Sequence, residues 1–170
     1  MNDVKDLLTR ELNNLKKAIE EKMASEKMTA SGRTLQSLSV VANENEGTLF
    51  GASYFRQLEK GRGPGPVPRN FTAIIKEWIQ QRGVEYNSYT PKGRDGSKMT
   101  AEQHLTSLAG AIAHTIMTQG TVMYRQGTSK DIFTEAMEET VARVNDQLGA
   151  VFAEKVQTIN DNFKNYENND

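Results

Sequence analysis

The sequence predicts an α+β fold in which helices dominate and a long N-terminal and a long C-terminal helix pack one small antiparallel β-hairpin. Two observations predict it. Near both ends of the chain, apolar residues recur at three- and four-residue steps, which is typical of amphipathic helices. Between them, a short stretch alternates apolar and polar residues around the polar turn NENEG, which is typical of a hairpin. The 170 residues suffice for one domain, so we predict a single domain over 1–170.

The first helix is predicted from Asp3 to about Lys27, with Gly32 in TASGR suited to end it. Seven apolar residues form its stripe: Val4, Leu7, Leu8, Leu12, Leu15, Ile19 and Met23. The hairpin follows, with strands in TLQSLSVVA and TLFGA. A brief helix is then predicted over 54–60, with Phe55 and Leu58 facing inward and Glu59 facing solvent.

The segment GRGPGPVP, residues 61–68, poses the main structural question. It contains one apolar side chain besides its prolines, Val67, so it buries little, and ordering it costs conformational entropy. Proline limits that cost by fixing φ, and glycine permits close backbone approach. We expect a neighbouring subunit to hold the segment in place, and the alternative is a surface loop of no consequence.

Three more helices are predicted after this segment. NFTAIIKEWIQQRG forms a helix that begins after Asn70 and ends at Gly83. The stretch over 84–100 has many turn formers and is predicted to be an extended, mobile loop. Thr100 followed by Gln103 has the capping-box spacing and opens the next helix. From Ser129 to about 165, 3/4 spacing continues for about thirty residues, which predicts a long C-terminal helix.

Charge is unevenly distributed, although the net charge is only −1. Residues 53–98 contain nine Lys/Arg and four Asp/Glu, whereas residues 130–170 contain four and nine. Solvated helix faces are the simpler explanation. The sharper one is that the basic middle of one subunit docks on the acidic tail of the next.

No pattern of catalytic or metal-binding residues is present. Cysteine is absent, which excludes disulfides and thiolate chemistry. The two histidines, His104 and His114, are ten residues apart, so they cannot share a helix face. GRGPGP and GRDGSK lack the phosphate-loop spacing, and the longest apolar run, LAGAIA, is too short to span a membrane. We therefore expect a soluble protein, made in a reducing cytoplasm or in no compartment-specific way, that is not an enzyme and uses no cofactor.

The order of several segments carries a family resemblance. SGRTLQSLSV is followed by YFRQLEKGRGPGPVP, IIKEWIQQRGV and LAGAIAHTIMTQGT. Taken together these resemble the neck and tail-completion proteins of tailed bacteriophages, the head–tail connector and minor tail proteins, over most of the chain. The matching positions are Ser31–Gly32–Arg33, Tyr54, Glu59, Gly61–Arg62, Pro64–Gly65, Trp78, Gly83, Ala111 to Ala113 and Gly120–Thr121. The YNSYTPKGRDGSK insertion and the long acidic final helix depart from the pattern and leave the exact ring of the neck open.

The resemblance implies a virion structural protein at the phage head–tail connection. It implies a homo-oligomeric ring, of six or twelve copies, around the DNA channel between portal or adaptor proteins and tail proteins. Assembly would take place in the host cytoplasm, with no membrane and at most non-specific DNA contact. The alternative is a small helical adaptor that binds a partner protein or a nucleic-acid backbone through its basic central segment.

Two sets of site residues follow from these expectations. The predicted subunit interface comprises Tyr54, Glu59, Arg62, Pro64, Pro66, Arg69 and Trp78. Within it, Glu59 and Arg62 are expected to form the ion pairs that set the register between subunits. The candidates for contact with the DNA backbone are Lys92, Arg94 and Lys98.

Overall fold

A computed structural model describes residues 2–28 and 32–167 and confirms the helix-dominated α+β class. The contacts within the chain divide it into two compact units. The terminal unit comprises 1–26, 33–52 and 132–170, and the central unit comprises 27–32 and 53–131. The single domain over 1–170 stays a prediction.

The terminal unit is built on its two long helices. The elements are α1 (Asn2–Ser25), α2 (Arg33–Gln36), β1 (Ser39–Ala42), β2 (Gly47–Phe50) and α7 (Thr134–Glu167). The strands pair antiparallel, with Ser39 opposite Phe50 and Ala42 opposite Gly47. Helix α1 contacts both the hairpin and α7, and it buries much of its apolar stripe, including Ile19 and Met23.

Two boundaries in the terminal unit differ from the prediction. Arg33–Gln36 form a helical turn rather than the start of the first strand, because the backbone N–H of Ser37 bonds back to the carbonyl of Arg33 at 3.1 Å. The last helix begins at Thr134 rather than Ser129. The Ser129 hydroxyl accepts the N–H of Asp131, whose φ is 47°, so these residues form a turn before the helix. Ser31, the first residue of the Ser31–Gly32–Arg33 match, lies outside the described residues, as do parts of the predicted helix stop and of the polar end.

Within the described residues, 27–28, 32 and 53–131, the central unit contains four helices and a short 3₁₀ turn. They are α3 (Phe55–Lys60), α4 (Phe71–Gln81), the 3₁₀ turn (Gly96–Lys98), α5 (Ala101–Gln119) and α6 (Val122–Gln126). Helices α4 and α5 pack together around Ile75, Ile79, Leu105, Ala109 and Ala113. Helix α6 was not predicted, because its five residues are too short to show a helical period.

The predicted signals for α4 and α5 are largely confirmed. Gly83, at φ 62°, follows α4, although the side chain of Asn70 makes no capping hydrogen bond. The Thr100 hydroxyl accepts the N–H of Gln103, and the Gln103 side chain accepts the N–H of Thr100. The segment 84–100 is partly structured, since Tyr86 packs against the α4–α5 core. Its mobility stays a prediction.

Candidate assembly surface

The Gly/Pro segment is held by its own chain. The Arg62 N–H donates to the hydroxyl of Thr121 at 3.0 Å, and the Thr121 N–H donates to the carbonyl of Arg62 at 2.8 Å. Further along, the Gly65 N–H donates to the carbonyl of Met117 at 2.8 Å. These bonds tie residues 61–65 to the end of α5 and the start of α6. We call this arrangement, residues 61–65 against 117–124, the clasp.

Glycine is required on both sides of the clasp. A Cβ on Gly61 would lie 2.6 Å from the Thr121 hydroxyl and from the backbone nitrogen of Tyr124. A Cβ on Gly120 would lie 2.7 Å from the carbonyl oxygen of Arg62. Both glycines also have positive φ, at 74° and 80°, where other residues are strained. The clasp therefore depends on close backbone approach.

The side chain of Arg62 reinforces the clasp from within. Its guanidinium donates to the carbonyls of Gly63 at 3.3 Å and Gly65 at 3.4 Å, and also to that of Pro66. It also lies over the ring of Phe71, 6.0 Å from the centroid. Because the guanidinium bonds to carbonyls of its own segment, Arg62 positions the backbone. The ion pair with a neighbouring subunit stays a prediction for this residue.

Glu59 also differs from its predicted role. The sequence placed it on the solvent face of α3, but it is only 1% exposed. Its backbone carbonyl accepts the N–H of Lys130 at 3.0 Å. The loop between α6 and α7 therefore lies against the end of α3. The prediction of a solvent-facing Glu59 is wrong, because six residues are too few for helical spacing to separate the buried side of α3 from the exposed side. A buried carboxylate cannot reach a neighbouring subunit.

The clasp presents a fixed ridge of exposed side chains. Pro64, Pro66, Pro68 and Arg69 are exposed, and Tyr124, half exposed, lies against Gly63. Prolines with fixed φ on an anchored backbone lose little further entropy when a partner binds. We call residues 64–69 the proline ridge. Three predicted interface residues, Pro64, Pro66 and Arg69, therefore lie together and accessible.

The two predicted aromatic interface residues are also accessible. Tyr54 is 41% exposed and Trp78 is 40% exposed. On α4, Ile74 lies four residues before Trp78 and is 38% exposed, so the two form one apolar patch beside the buried face of Ile75 and Ile79, about 100° around the helix from it.

The three candidates for DNA contact lie exposed within 84–100. Lys92 and Arg94 precede the 3₁₀ turn, and Lys98 ends it. The carboxylate of Asp95 caps this turn by accepting the N–H of Ser97 at 3.0 Å and its hydroxyl at 2.7 Å. These bonds, the side-chain bond first, hold the pKa of Asp95 below its ordinary value. The Lys98 ammonium lies 3.9 Å from Asp95, so part of the positive charge is neutralised locally.

Beside this loop, a hollow of about 550 Å³ opens between the loop and α5. Among its lining residues are Tyr89, Arg94, Glu102 and Thr106. The Lys76 ammonium bonds Glu102 and keeps the pKa of this carboxyl below its ordinary value, first through the hydrogen bond and then through its charge. The carboxylate therefore stays ionised at neutral pH and is unsuited to act as a general acid.

Histidine chemistry is also unsupported. His104 is buried, and its Nδ1 contacts the carbonyl oxygen of Tyr89, which can only accept, so Nδ1 carries the proton. His114 is exposed on the same helix. Among the described residues, no group of three or more His, Asp or Glu side chains could hold a metal ion. Within that same part of the chain, no helix combines the length and apolar character needed to cross a membrane.

One charged cluster that the sequence reading missed joins α1 to α7. Glu11 is 3% exposed and accepts from Arg143 at 3.3 Å, Arg10 at 3.1 Å and Gln147 at 3.4 Å. Burial raises the pKa of Glu11. The hydrogen bonds from Arg10, Arg143 and Gln147 together lower the pKa by more than burial raises it, so the pKa lies below its ordinary value. The signal was present, because Glu11 interrupts the apolar spacing between Leu7 and Leu15.

A second missed feature is the outer face of α7. The 3/4 spacing predicted the helix but not which of its apolar side chains are covered. In the structure Val144, Leu148 and Val151 are half buried. Six others are exposed: Met137, Val141, Phe152, Val156, Ile159 and Phe163. This much apolar surface on one helix is typical of a contact with another molecule.

Comparisons with known proteins show no relative: no family model, curated protein or solved structure matches the chain.

Proposed function

We propose that the chain is a virion structural protein, a ring-forming subunit at the head–tail connection of a tailed bacteriophage. It would bridge portal-side and tail-side proteins around the DNA channel. The observation that carries the proposal is the clasp. Residues that the resemblance places in two separate motifs, Gly61–Arg62 with Pro64–Gly65 and Gly120–Thr121, contact one another and support the proline ridge.

The clasp changes the mechanism expected from sequence. The Gly/Pro segment was expected to need a neighbour to become ordered, whereas its own chain supplies the contacts that order it. A segment already ordered presents its surface at a low entropic cost of binding. In the proposed ring, the proline ridge with Arg69 is the rigid element that a neighbouring subunit or a companion protein contacts. Trp78 with Ile74, and Tyr54, are further exposed apolar side chains that a partner could contact.

The location in the particle is tested by electron microscopy of intact virions from a phage that encodes the chain. We expect density for several copies in a ring between portal and tail, with residues 64–69 at a contact between chains. A particle that lacks the chain would overturn the proposal, and so would a single copy with the proline ridge in solvent.

The role of the ridge is tested separately from the location. Arg69→Glu reverses one exposed charge on the ridge, and Arg82→Glu, an exposed position after α4, is the matched control. We expect the ridge variant to reduce incorporation into particles at least about tenfold, since reversed charges at an interface suppress association. The control should incorporate normally.

A second candidate, an adaptor that contacts a nucleic-acid backbone, is favoured by one observation. Lys92, Arg94 and Lys98 are exposed within one loop, and Asp95 is the carboxylate that pairs with Lys98 there. If backbone contact is the function, DNA retention should fall steeply with rising salt. Replacing Lys92 and Arg94 with Gln should then flatten the salt dependence. Retention that is weak and insensitive to these changes would leave only the structural role.

A further inference from the structure

The end of α7 has an apolar face that none of the described residues of its own unit covers. Phe152, Val156, Ile159 and Phe163 are 52–67% exposed. From 152 to 164 every side chain is exposed except Lys155, which is half buried. Single exposed apolar residues are normal, but four at successive helical steps are not.

The pairing of α1 with α7 explains why the apolar side chains at this end of α7 are exposed. The two helices run antiparallel, because Glu11 contacts Arg143 while Asp3, near the start of α1, lies by Val151. Helix α1 begins at Asn2, so α7 continues past its partner from about residue 152 to Glu167. At ~1.5 Å per residue, this is roughly 24 Å of helix that α1 does not cover.

The four exposed side chains form a narrow seam. Their spacing of four, three and four residues places them within about 60° of the helix circumference at ~100° per residue. Arg143 and Gln147, which bond to Glu11 of α1, lie roughly 150–170° from the centre of the seam, and the half-buried Val144, Leu148 and Val151 lie roughly 50–110° from it. The seam, residues 152, 156, 159 and 163, is therefore offset from the face that packs inside the molecule, and its spacing is that of a coiled coil.

Charge along this part of α7 is arranged so that two copies can meet at the seam. The acidic residues Glu154 and Asp161 lie on the opposite side of the helix, about 170° from the seam centre at ~100° per residue. The seam is instead flanked by Asn160 and Asn162 and by a single cation, Lys155. Like charges of two copies would therefore stay apart, although residues 130–170 are acidic overall. The excess of acid also opposes a nucleic acid as the occupant.

The area of the seam fits a weak association between two copies. The exposed parts of its four apolar side chains sum to about 400 Å² per copy if each residue presents ~150–200 Å² when fully exposed. Two copies would bury about 800 Å², the size of weak and transient protein–protein interfaces. A patch of about 400 Å² is within the range of the largest apolar patches on monomers, which are often functional.

We infer that the end of α7 is a self-association surface, on which a second copy of this chain packs its own seam as a coiled coil. Phe152, Val156, Ile159 and Phe163 are the residues in the contact. The inference goes beyond the proposed function, because it holds whether or not the chain belongs to a phage neck. In a ring it would supply one contact between copies, separate from the proline ridge.

The first test measures association of the purified full chain by sedimentation equilibrium from about 1 to 100 μM, where a Kd in the usual range for a small interface would show. We expect concentration-dependent dimers or larger species. Val156→Glu should weaken association at least about tenfold, because a carboxylate would enter an apolar seam. Gln157→Glu is the matched control, since it adds the same charge one residue away on the outer side, and it should associate like the parent.

A second test exploits the absence of cysteine from the chain, because any disulfide must then join two molecules. Val156→Cys and Ile159→Cys are oxidised singly and as a mixture, and Asp161→Cys is the control. Parallel copies cross-link each variant to itself, and antiparallel copies cross-link the mixture. Either result supports the seam, provided that Asp161→Cys cross-links far less.

Several outcomes overturn the inference. These are a chain that stays monomeric at 100 μM, equal association of the two Glu variants, or no cross-linking advantage over Asp161→Cys. Circular dichroism confirms that each variant keeps its helix, which is expected because all the altered side chains are exposed. The proposed function is tested separately from this inference. Its tests are the location of the chain in virions and the incorporation of the Arg69→Glu variant into particles.

Discussion

The clasp and the end of α7 both differ from what their composition predicts, and the two differences run in opposite directions. Residues 61–65 contain three glycines and a proline and look unable to order themselves, yet they are tied by hydrogen bonds to α5 and α6. Residues 152–163 have ideal helical spacing and look like part of a core, yet their apolar side chains face solvent. Order within a chain depends on whether the chain itself supplies a partner surface. Helical spacing alone does not say whether such a partner exists.

The comparison predicts that substitutions in the clasp affect folding, whereas substitutions in the α7 seam affect association. The largest effect, and the most direct test of this comparison, is expected for Gly61→Ala. The added Cβ would meet a backbone nitrogen that cannot move aside, at a positive φ. We expect a loss of about 2–3 kcal/mol in the free energy of unfolding, measured by urea denaturation. Gly110→Ala, inside α5 with open space around it, is the control and should stabilise by up to ~1 kcal/mol.

The next largest effect is expected for Thr121→Ala. The Thr121 hydroxyl caps α6 and also accepts the N–H of Arg62, so its loss should cost about 2 kcal/mol. Thr100→Ala removes a cap of similar type outside the clasp and should cost about 1 kcal/mol. The difference between the two variants in denaturant melts measures the clasp bond. Equal losses would mean that the bond to Arg62 contributes nothing.

Glu11→Gln sharpens the contrast between the covered and bare parts of α7. Because the pKa of Glu11 is lowered in the folded protein, the folded state binds fewer protons than the unfolded chain around the ordinary value of 4.5. Its contribution is therefore present above that value and is lost as pH falls through the lowered pKa. We expect the variant to lose about 1 kcal/mol at pH 7, because the charge-assisted bonds are weakened.

The pH dependence provides the check on Glu11. Stability of the parent should converge on that of Glu11→Gln as the pH is lowered below 4, measured by urea melts at each pH. A gap between the two proteins that persists unchanged at pH 3 would show that the ionised carboxylate is not the cause.

The smallest effect is expected for Phe152→Ala. The side chain is exposed and alanine favours helix, so the free energy of unfolding of the dilute monomer should change by less than about 0.5 kcal/mol. Its association, measured by sedimentation, should weaken. A large loss of monomer stability would mean that Phe152 packs within its own molecule, and the contrast drawn above would fail.

The central helices were predictable because their signals are local. The capping box at Thr100 and the glycine at 83 involve residues close in sequence, and both end up where the spacing placed them. Local signals also misled at the last helix. Ser129 has the chemistry of a cap, but it caps a turn, and the helix begins five residues later.

The candidate site was predictable only in part. Pro64, Pro66 and Arg69 are exposed, as an interface requires, because nothing in a short proline-rich stretch favours their burial. The burial of Glu59 and the inward turn of the Arg62 guanidinium depend on neighbours in three dimensions. No local pattern encodes them.

By itself the sequence determined the helix-dominated α+β class, the hairpin and the main helices, because hydrophobic periodicity and caps act within a few residues of the chain. Only the tertiary structure decided that the glycine-rich segment is hydrogen-bonded to α5 and α6, that Glu11 is buried between α1 and α7, and that α7 extends beyond the start of α1. These outcomes depend on contacts between residues as much as 137 positions apart. Such contacts are set by the packing of whole elements, which local sequence does not specify.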